Sequence, residues 1–411
     1  MSGFGLLGER LGHSFSPKIH SLLGDYAYEL CEVPPEGLAE FLLCTEMQGM
    51  NVTIPYKKAV IPFCKALSPA AEAIGSVNTL VRRDGGWYGD NTDAFGFGYL
   101  LRRRGIDPAG KRCAVLGSGG ASVTVQYVLR RLGAASVAVL SRGGRNDYAH
   151  LGDYAETQLL VNATPVGMFP GNGVSPVPAE AFPVCEAAVD LIYNPLRSAF
   201  LQELQQQTSP GLQRICENGL AMLVAQAAAS AALFTGETSP EGKIEEILCK
   251  LESETENIAL IGMPGCGKTT VGRVLAELMG RPFADLDAEI TRKTGKTPET
   301  WLNSAGEAEF RQVETRILRE LSKSTGMVLA CGGGVVSRRE NLALLRQNSR
   351  VVWINRELCK LSTEGRPLSQ QESPEGLYAQ RRPLYEAFAD CAAENGGSPA
   401  ETAKKILEAL K

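Results

Sequence analysis

The chain has 411 residues, enough for two or three domains at roughly 150 residues each. Its 44% hydrophobic and 21% charged residues exclude a disordered chain. A formal net charge of -4, from 42 Lys plus Arg against 46 Asp plus Glu, argues against a nucleic-acid coat or a polybasic membrane anchor. Three scattered histidines (His13, His20, His150) and 11 cysteines without a CxxC pair suggest neither a His-based metal site nor a zinc ribbon. No basic-then-apolar leader is visible, and the most apolar stretch, Gly219 to Phe234, is interrupted by Gln226 and Ser230 and too short to span a bilayer. The expected setting is reducing and cytoplasmic, with free thiols.

In chain order, the first segment carries unusual polar clusters: Leu11-Gly-His13-Ser14-Phe-Ser16-Pro17, Asn51-Val-Thr53-Ile-Pro-Tyr-Lys57, Gly75-Ser-Val-Asn78-Thr79 and Gly89-Asp90-Asn91-Thr92-Asp93. Each alone reads as caps and turns. Together they offer hydroxyls, an amide, a lysine and a carboxylate, a set suited to a small polyol acid. The apolar run Arg112 to Leu116 then enters Gly117-Ser118-Gly119-Gly120-Ala121-Ser122 and a helical pattern from Val123 to Leu132. That order is strand, phosphate loop, helix. Ser122 stands where GxGxxG has its third glycine, so the dinucleotide fingerprint is incomplete. The next strand, Ser136 to Leu140, ends in Ser141-Arg142-Gly-Gly-Arg145. Arginine without a carboxylate suits a 2′-phosphate and favours NADP over NAD, the alternative being a surface arginine. The stretch from Arg145 to Leu159 is short for a full helix–strand unit. Gln226, on an Ala-rich helical stretch, is either a site residue or an exposed helix-face residue. Lys243 to Leu251 has helical spacing, which leaves 252–256 as a linker.

Asn257 to Ile261 leads into Gly262-Met-Pro-Gly265-Cys266-Gly267-Lys268-Thr269-Thr270 and a helical pattern to Met279, a full Walker A match. Its glycines turn backbone N–H groups toward phosphate oxygens, Lys268 brings charge to the β- and γ-phosphates, and Thr269 brings a hydroxyl to Mg²⁺. Asp285-Leu-Asp287 follows a short strand, Pro282 to Ala284, where alternate carboxylates can face one cleft. Glu309-Phe-Arg311, with Glu314 beyond it, comes next on a helix. Met327 to Ala330 runs toward Gly332-Gly333-Gly334, where backbone must approach something closely. Gly365-Arg366-Pro-Leu and Arg381-Arg382-Pro383-Leu-Tyr385 read as a Pro/Gly-rich segment of lid character, with arginines for a phosphate and a carboxylate. Ser398-Pro399-Ala-Glu401 is a capping box opening a last helix with Ile406, Leu407 and Leu410 on its apolar face.

From Gly3 to about Gly236 the chain resembles shikimate dehydrogenase: HSFSP, NVTIPYK, VNT, GDNTD, GSGGAS, NATPVGM, DLIYNP and NGLAMLVAQ recur in family order. The resemblance implies that Ser14 and Ser16 bind the substrate carboxylate, and that Thr53, Asn78, Asp93, Tyr193 and Gln226 contact ring hydroxyls or their surroundings. It makes Lys57 and Asp93 the catalytic pair, with Lys57 giving a proton to the alkoxide and Asp93 orienting the amine. Gly117, Ser118, Gly119, Gly120, Ala121, Ser141, Arg142, Arg145, Leu191 and Gly219 would line the NADP site. Val123 replaces an arginine often found after the glycine loop.

From Asn257 to Lys411 the chain resembles shikimate kinase, with GMPGCGKTT, DLD, EFR, GGG, RPL and RRPLY in family order. That resemblance implies an ATP site of Gly265, Cys266, Gly267, Lys268, Thr269 and Thr270, closed by Arg366, with Thr269 and Asp285 serving Mg²⁺. Asp287 would accept substrate hydroxyls and help activate the attacking one, Arg311 and Arg381 would hold the ring carboxylate, and Gly333 would offer its N–H. Lys360 is the available substitute for an arginine that many relatives stack near the adenine.

The expected fold class is α/β throughout. A dehydrogenase substrate-binding lobe takes 1–95 with 218–251, a Rossmann-like NADP lobe 96–217, the linker 252–256, and a five-stranded P-loop kinase domain 257–411. The expected activities are NADPH-dependent reduction of 3-dehydroshikimate and ATP-dependent phosphorylation of shikimate. The partners are these small molecules, with no nucleic acid or membrane, in a monomer or homodimer. The alternatives are a non-catalytic shikimate- or quinate-sensing regulator, and an NAD-dependent quinate/shikimate dehydrogenase, against which Arg142 argues. Cys266 and Cys331 fall in the two kinase loops and are expected to make that half thiol-sensitive.

Overall fold

A computed structural model of the chain describes residues 3–12, 14–143, 146–207, 213–361 and 373–410. Contacts divide it into two units. The first is Met1–Met168, Val174–Tyr193 and Glu203–Lys250; the second is Phe169–Gly173, Asn194–Gln202 and Leu251–Lys411.

The first unit begins with a mixed sheet of β1 (Phe4–Gly8), β2 (Tyr28–Glu32), β3 (Gly49–Val52), β4 (Cys64–Leu67), β5 (Thr79–Arg83) and β6 (Gly86–Asp90). The strand order is β2-β1-β3-β5-β6-β4. Only β5 runs against its neighbours, because Asp84-Gly85 closes a two-residue hairpin to β6 with φ of 49° and 70°. Asp-Gly is the pairing that tolerates two positive φ values, and this turn's twist matches that of the strands. Helix Thr92–Arg103 leaves β6 and packs on helix Leu220–Thr235. A Cβ on Gly96 would stand 2.5 Å from Met222 O, so glycine permits the close crossing. The Ala-rich second helix is buried on most of its circumference, as a helix apolar all round should be.

Between these helices in sequence come the strands of a parallel sheet, β7 (Arg112–Leu116), β8 (Ser136–Leu140), β9 (Leu159–Asn162), β10 (Ala187–Asp190) and β11 (Ile215–Glu217), in the order β11-β10-β9-β7-β8. β9 and β10 are buried throughout, the continuous apolar reading of a sheet covered on both faces. Among the described residues, a 3₁₀ segment, Tyr148–Tyr154, is the one helical element between β8 and β9, in keeping with the short stretch after Arg145.

The second unit has a parallel sheet of β12 (Asn257–Ile261), β13 (Phe283–Asp285), β14 (Val328–Ala330), β15 (Ser349–Asn355) and β16 (Cys391–Glu394), ordered β13-β14-β12-β15-β16. Its core gathers Leu260, Val271, Leu275, Ile290, Leu318, Val352, Tyr385 and Ile406. The last helix, Pro399–Ala409, opens with the expected capping box: Ser398 N donates to Glu401 Oε2 at 2.8 Å, and Glu401 N to Ser398 Oγ at 3.3 Å.

Two expectations need correction. The residues 252–256, read as a linker, are mostly helical: helix Glu241–Thr255 buries Leu251, and Thr255 Oγ1 donates to Leu251 O at 2.7 Å. The Arg381-Arg382-Pro383 segment is not of lid character but lies in helix Pro374–Phe388, with Pro383 inside it. Burial of Leu377, Arg381, Tyr385 and Phe388 along one face, together with the Ser373 cap, outweighs the hydrogen bond that proline forfeits.

Candidate active sites

In the first unit, a cleft of about 540 Å³ collects Ser14, Ser16, Thr53, Lys57, Asn78, Asp93, Tyr193 and Gln226, with Ala121, Leu191 and Gly219 on its wall. These are all the expected substrate residues and three of the expected NADP residues. Lys57 closes the Asn51–Lys57 cluster, which begins at the end of β3, and Asp93 lies in the first turn of helix Thr92–Arg103. Lys57 Nζ stands 2.6 Å from Asp93 Oδ2, with the side chains 24% and 13% exposed. The pair is thus shielded yet reachable from the cleft.

A buried polar network fixes this wall. Asn78 Oδ1 accepts from Thr92 N at 2.7 Å, and Asn78 Nδ2 donates to Thr92 Oγ1 at 3.0 Å and Gln226 Oε1 at 3.4 Å. Gln226 is buried, so the exposed helix-face alternative is overturned. Asn51 joins the network through Ser230 Oγ at 2.8 Å, a link the sequence reading missed. Tyr193 packs near Phe15, with ring centroids 5.7 Å apart, and burial pushes its hydroxyl pKa up, keeping it a neutral donor.

Of the glycine loop, Ala121 lines that cleft, and Gly117 to Gly120 lie outside its lining. Gly117 has φ +98° and Gly119 precedes helix Gly120–Arg131, with Ser118, Gly119 and Gly120 exposed. Such backbone at a helix N-terminus suits a dinucleotide phosphate. Ser141 and exposed Arg142 follow β8, where the sequence reading places a 2′-phosphate; Arg145 lies outside the described residues. Beneath the loop, Asn162 Nδ2 donates to Asp190 Oδ1 at 3.0 Å and Asn162 Oδ1 accepts from Thr164 N at 3.0 Å. This pair also escaped the sequence reading, although both residues end strands of the sheet.

In the second unit, a cleft of about 360 Å³ brings Gly265, Gly267, Lys268, Thr269 and Thr270 together with Asp285, Asp287, Arg311, Glu314, Gly333 and Arg381. Lys268 Nζ bonds the carbonyls of Gly262 and Met263, both at 2.9 Å, which holds the ammonium beneath the loop. Thr269 Oγ1 donates to Asp285 Oδ2 at 2.6 Å, and Asp285 Oδ1 caps the next helix through Asp287 N at 3.0 Å. A hydroxyl beside a carboxylate is a hard-oxygen set that fits Mg²⁺, an ion that keeps several waters and substrate phosphates as ligands. Among the described residues no group of three His, Cys, Asp or Glu side chains suits a metal.

Cys266 does not enter the cleft. Its thiol is buried, its N–H is bound to Met263 O at 3.2 Å, and its carbonyl accepts from Asn395 Nδ2 at 2.7 Å. Cys331 lines the cleft but is buried too, and burial pushes its thiol pKa up. Neither is the ready target for thiol reagents that its place in sequence suggests. Arg366 lies outside the described residues.

The substrate side turns on Gly332. A Cβ there would stand 2.5 Å from Glu314 Oε1 and 2.9 Å from Asp287 Oδ1. Glycine therefore lets two carboxyls approach the chain after β14. Burial, against the pull of Arg311, pushes the Glu314 carboxyl pKa up, and nearby Asp287 adds to the shift. Arg311 is engaged, at 2.9 Å from Glu314 Oε2 and 3.0 Å from Glu307 Oε1. Arg381 is different: its Nη1 donates to Gly333 O at 3.2 Å, and no carboxylate pairs with it among the described residues. Glu314 is wholly buried and, among the described residues, its Oε1 lacks a partner, which makes it a candidate site residue. Its spacing of three from Arg311 on helix Glu307–Leu321 is the signal that was available for it.

The comparisons agree with this division. The family described as shikimate dehydrogenase substrate binding domain matches residues 6–80, and the shikimate kinase family matches residues 264–411. A shikimate dehydrogenase (NADP(+)) of Clostridium perfringens is 34% identical over 275 residues, covering 61% of this chain and 100% of that protein. The protein of that name from Oleidesulfovibrio alaskensis is 38% identical over 262 residues, covering 58% of this chain and 91% of its own. Among solved structures, a chorismate mutase/shikimate 5-dehydrogenase fusion protein from Clostridium acetobutylicum superposes with a TM-score of 0.57 at 37% identity, covering 61% of this chain and 97% of that one. Shikimate 5-dehydrogenase from Thermus thermophilus, in complex with NADP(H) and shikimate, gives 0.55 at 35% identity, covering 61% and 99%. The chain therefore belongs to the shikimate dehydrogenase family and continues into a shikimate kinase domain, two enzymes of the shikimate pathway in one polypeptide.

Proposed function

We propose that the first unit reduces 3-dehydroshikimate to shikimate with NADPH, and that the second transfers phosphate from ATP to the 3-hydroxyl of shikimate. The observation that carries the first half is the Lys57–Asp93 contact inside a cleft edged by hydroxyls and amides. Bound NADPH supplies the hydride. Ser14 and Ser16 hold the carboxylate, and the Asn78–Thr92–Gln226 network fixes the wall against which the ring hydroxyls bind. Lys57 protonates the oxygen as negative charge develops on it, and Asp93 keeps the amine oriented.

For the second half, the meeting of phosphate loop, Asp287 and Arg381 in one cleft supports the reading. Mg²⁺-bound ATP supplies the phosphoryl group. Asp287 accepts from the attacking hydroxyl, Arg381 holds the substrate carboxylate, and Lys268 and the loop N–H groups neutralise spreading charge. Thr269 and Asp285 would hold the ion. The setting we propose is cytoplasmic, in keeping with the cysteines being free; among the described residues no helix is long and apolar enough to cross a membrane.

The test is two assays on the full chain: shikimate-dependent NADP⁺ reduction, and shikimate-dependent ATP consumption. Both are expected, with Lys268→Ala abolishing only the second. Neither activity in folded protein would favour the regulator alternative. Faster turnover with quinate and NAD⁺ than with shikimate and NADP⁺ would favour the other.

A further inference from the structure

Arg356 follows directly on β15, at the strand's C-terminal end. It lines the cleft of the phosphate loop, and its Nη1 lies 3.9 Å from the point where a Cβ on Gly267 would stand. The residue is half-buried, and its Nε is closed off from solvent without a hydrogen-bond partner among the described residues. No carboxylate pairs with it among the described residues. A cation's N–H left in this state costs free energy until an acceptor arrives, and an anion is the acceptor that suits it.

The sheet order says which part of a nucleotide meets it. β13 and β14 lie on one side of β12, and β15 and β16 on the other. Asp287 and Gly333, on the substrate side, follow β13 and β14; Arg356 and Asn395 follow β15 and β16. A nucleotide whose terminal phosphate faces Asp287 therefore runs its remaining phosphates past Gly267 toward the β15 side. The other polar groups there are committed. Asn395 Nδ2 donates to Cys266 O at 2.7 Å, and its Oδ1 accepts from Thr402 Oγ1 at 2.8 Å. Lys360, the substitute suggested by sequence, is paired with Glu357 at 2.8 Å.

We infer that Arg356 binds the α/β-phosphate portion of the nucleotide from the β15 side, as a second cation beside Lys268. The inference rests on the kinase reading of this cleft. It makes Arg356 a binding residue for ATP and its product ADP, and gives it no part in phosphoryl transfer itself.

The test titrates the full chain and its Arg356→Met and Arg356→Lys variants with ADP and with inorganic tripolyphosphate by calorimetry, beside the ATP dependence of shikimate phosphorylation. Both ligands should bind the Met variant roughly 10- to 100-fold more weakly, the range for hydrogen bonds to charged groups. KM for ATP should rise by a similar factor with kcat and KM for shikimate little changed, and the Lys variant should recover part of the loss. Equal affinities in wild type and Met variant would overturn the inference. So would weakened ADP binding with tripolyphosphate unaffected, which places the contact on base or ribose. A wild-type chain that binds ADP but phosphorylates no shikimate refutes the kinase reading alone, while the Arg356 comparison still decides the inference. A wild-type chain that binds neither ligand overturns both.

Discussion

Lys57→Ala should silence the dehydrogenase half and leave the kinase half at work. At 2.6 Å and an effective dielectric of about 20, opposite unit charges attract by about 6 kcal/mol. Water at side chains 24% and 13% exposed reduces that considerably, but a pair this close still fixes where the amine proton points. Loss of a positioned proton donor typically costs roughly 10²- to 10⁴-fold in rate, about 3 to 5 kcal/mol of barrier. The assay is shikimate-dependent NADP⁺ reduction, followed by NADPH absorbance, with ATP-dependent phosphorylation by the same polypeptide as control for integrity. The loss should fall on kcat, with KM for NADP⁺ little changed. Lys57→Arg is the sharper variant. It keeps a charge for Asp93 to pair with, yet a guanidinium does not give up its proton. Near-wild-type turnover by Lys57→Arg would refute proton transfer as the role of this side chain.

Three further outcomes follow from the packing. Gly332→Ala forces a methyl to 2.5 Å from Glu314 Oε1 and 2.9 Å from Asp287 Oδ1, so kinase turnover should fall at least tenfold and unit stability by about 1 to 3 kcal/mol. Unchanged phosphorylation kinetics in that variant would mean the carboxyls are not held where described. His20 is buried and stacked on Tyr28 at 3.9 Å, and burial lowers its pKa from 6.5 to about 4. Between those values the unfolded chain binds a proton that the folded chain refuses, so stability falls as pH drops, by up to about 3 kcal/mol once below pH 4. Urea unfolding of His20→Gln should lack that part of the slope, and a slope identical to wild type counts against it. Finally, the exposed thiols Cys44, Cys249 and Cys359 should react with thiol reagents before buried Cys266 and Cys331. Mass mapping of a brief treatment should find those three labelled and the kinase active; early labelling of Cys266 would contradict its burial.

The two phosphate loops were legible in sequence because their chemistry is contiguous. Strand, glycines and helix start lie within about a dozen residues, and the backbone follows from φ preferences that only glycine satisfies. The clusters around Ser14, Lys57, Asn78 and Asp93 needed the family resemblance, since each alone is also a turn. Long-range packing decided the rest. Helix Pro374–Phe388 was hidden by Pro383, a local breaker overridden by Tyr385, whose hydroxyl reaches Gly333 O at 2.6 Å. The linker reading failed likewise: the polar residues after Leu251 continue a helix anchored by burial of Leu251 itself. Glu314, Asn162 and Arg356 carry no local signal stronger than a spacing, and their meaning lies in what is absent around them or brought beside them.

The arginines of the kinase cleft show why residue type alone does not assign a role. Arg311 and Arg381 look equivalent as carboxylate binders, and both are buried. Burial works against the Arg311 charge, but Glu314 and Glu307 more than offset it and push its pKa up. Two carboxylates already pair with it, and its geometry holds Glu314 against Gly332. Arg381 donates to the Gly333 carbonyl and, among the described residues, forms no ion pair with a carboxylate, so an incoming carboxylate there gains a desolvated cation. Arg356 repeats the pattern on the nucleotide side. On the proposed reading, in a chain of net charge -4, recognition of two anionic ligands depends on which few cations the fold leaves without a carboxylate, and not on how many it has.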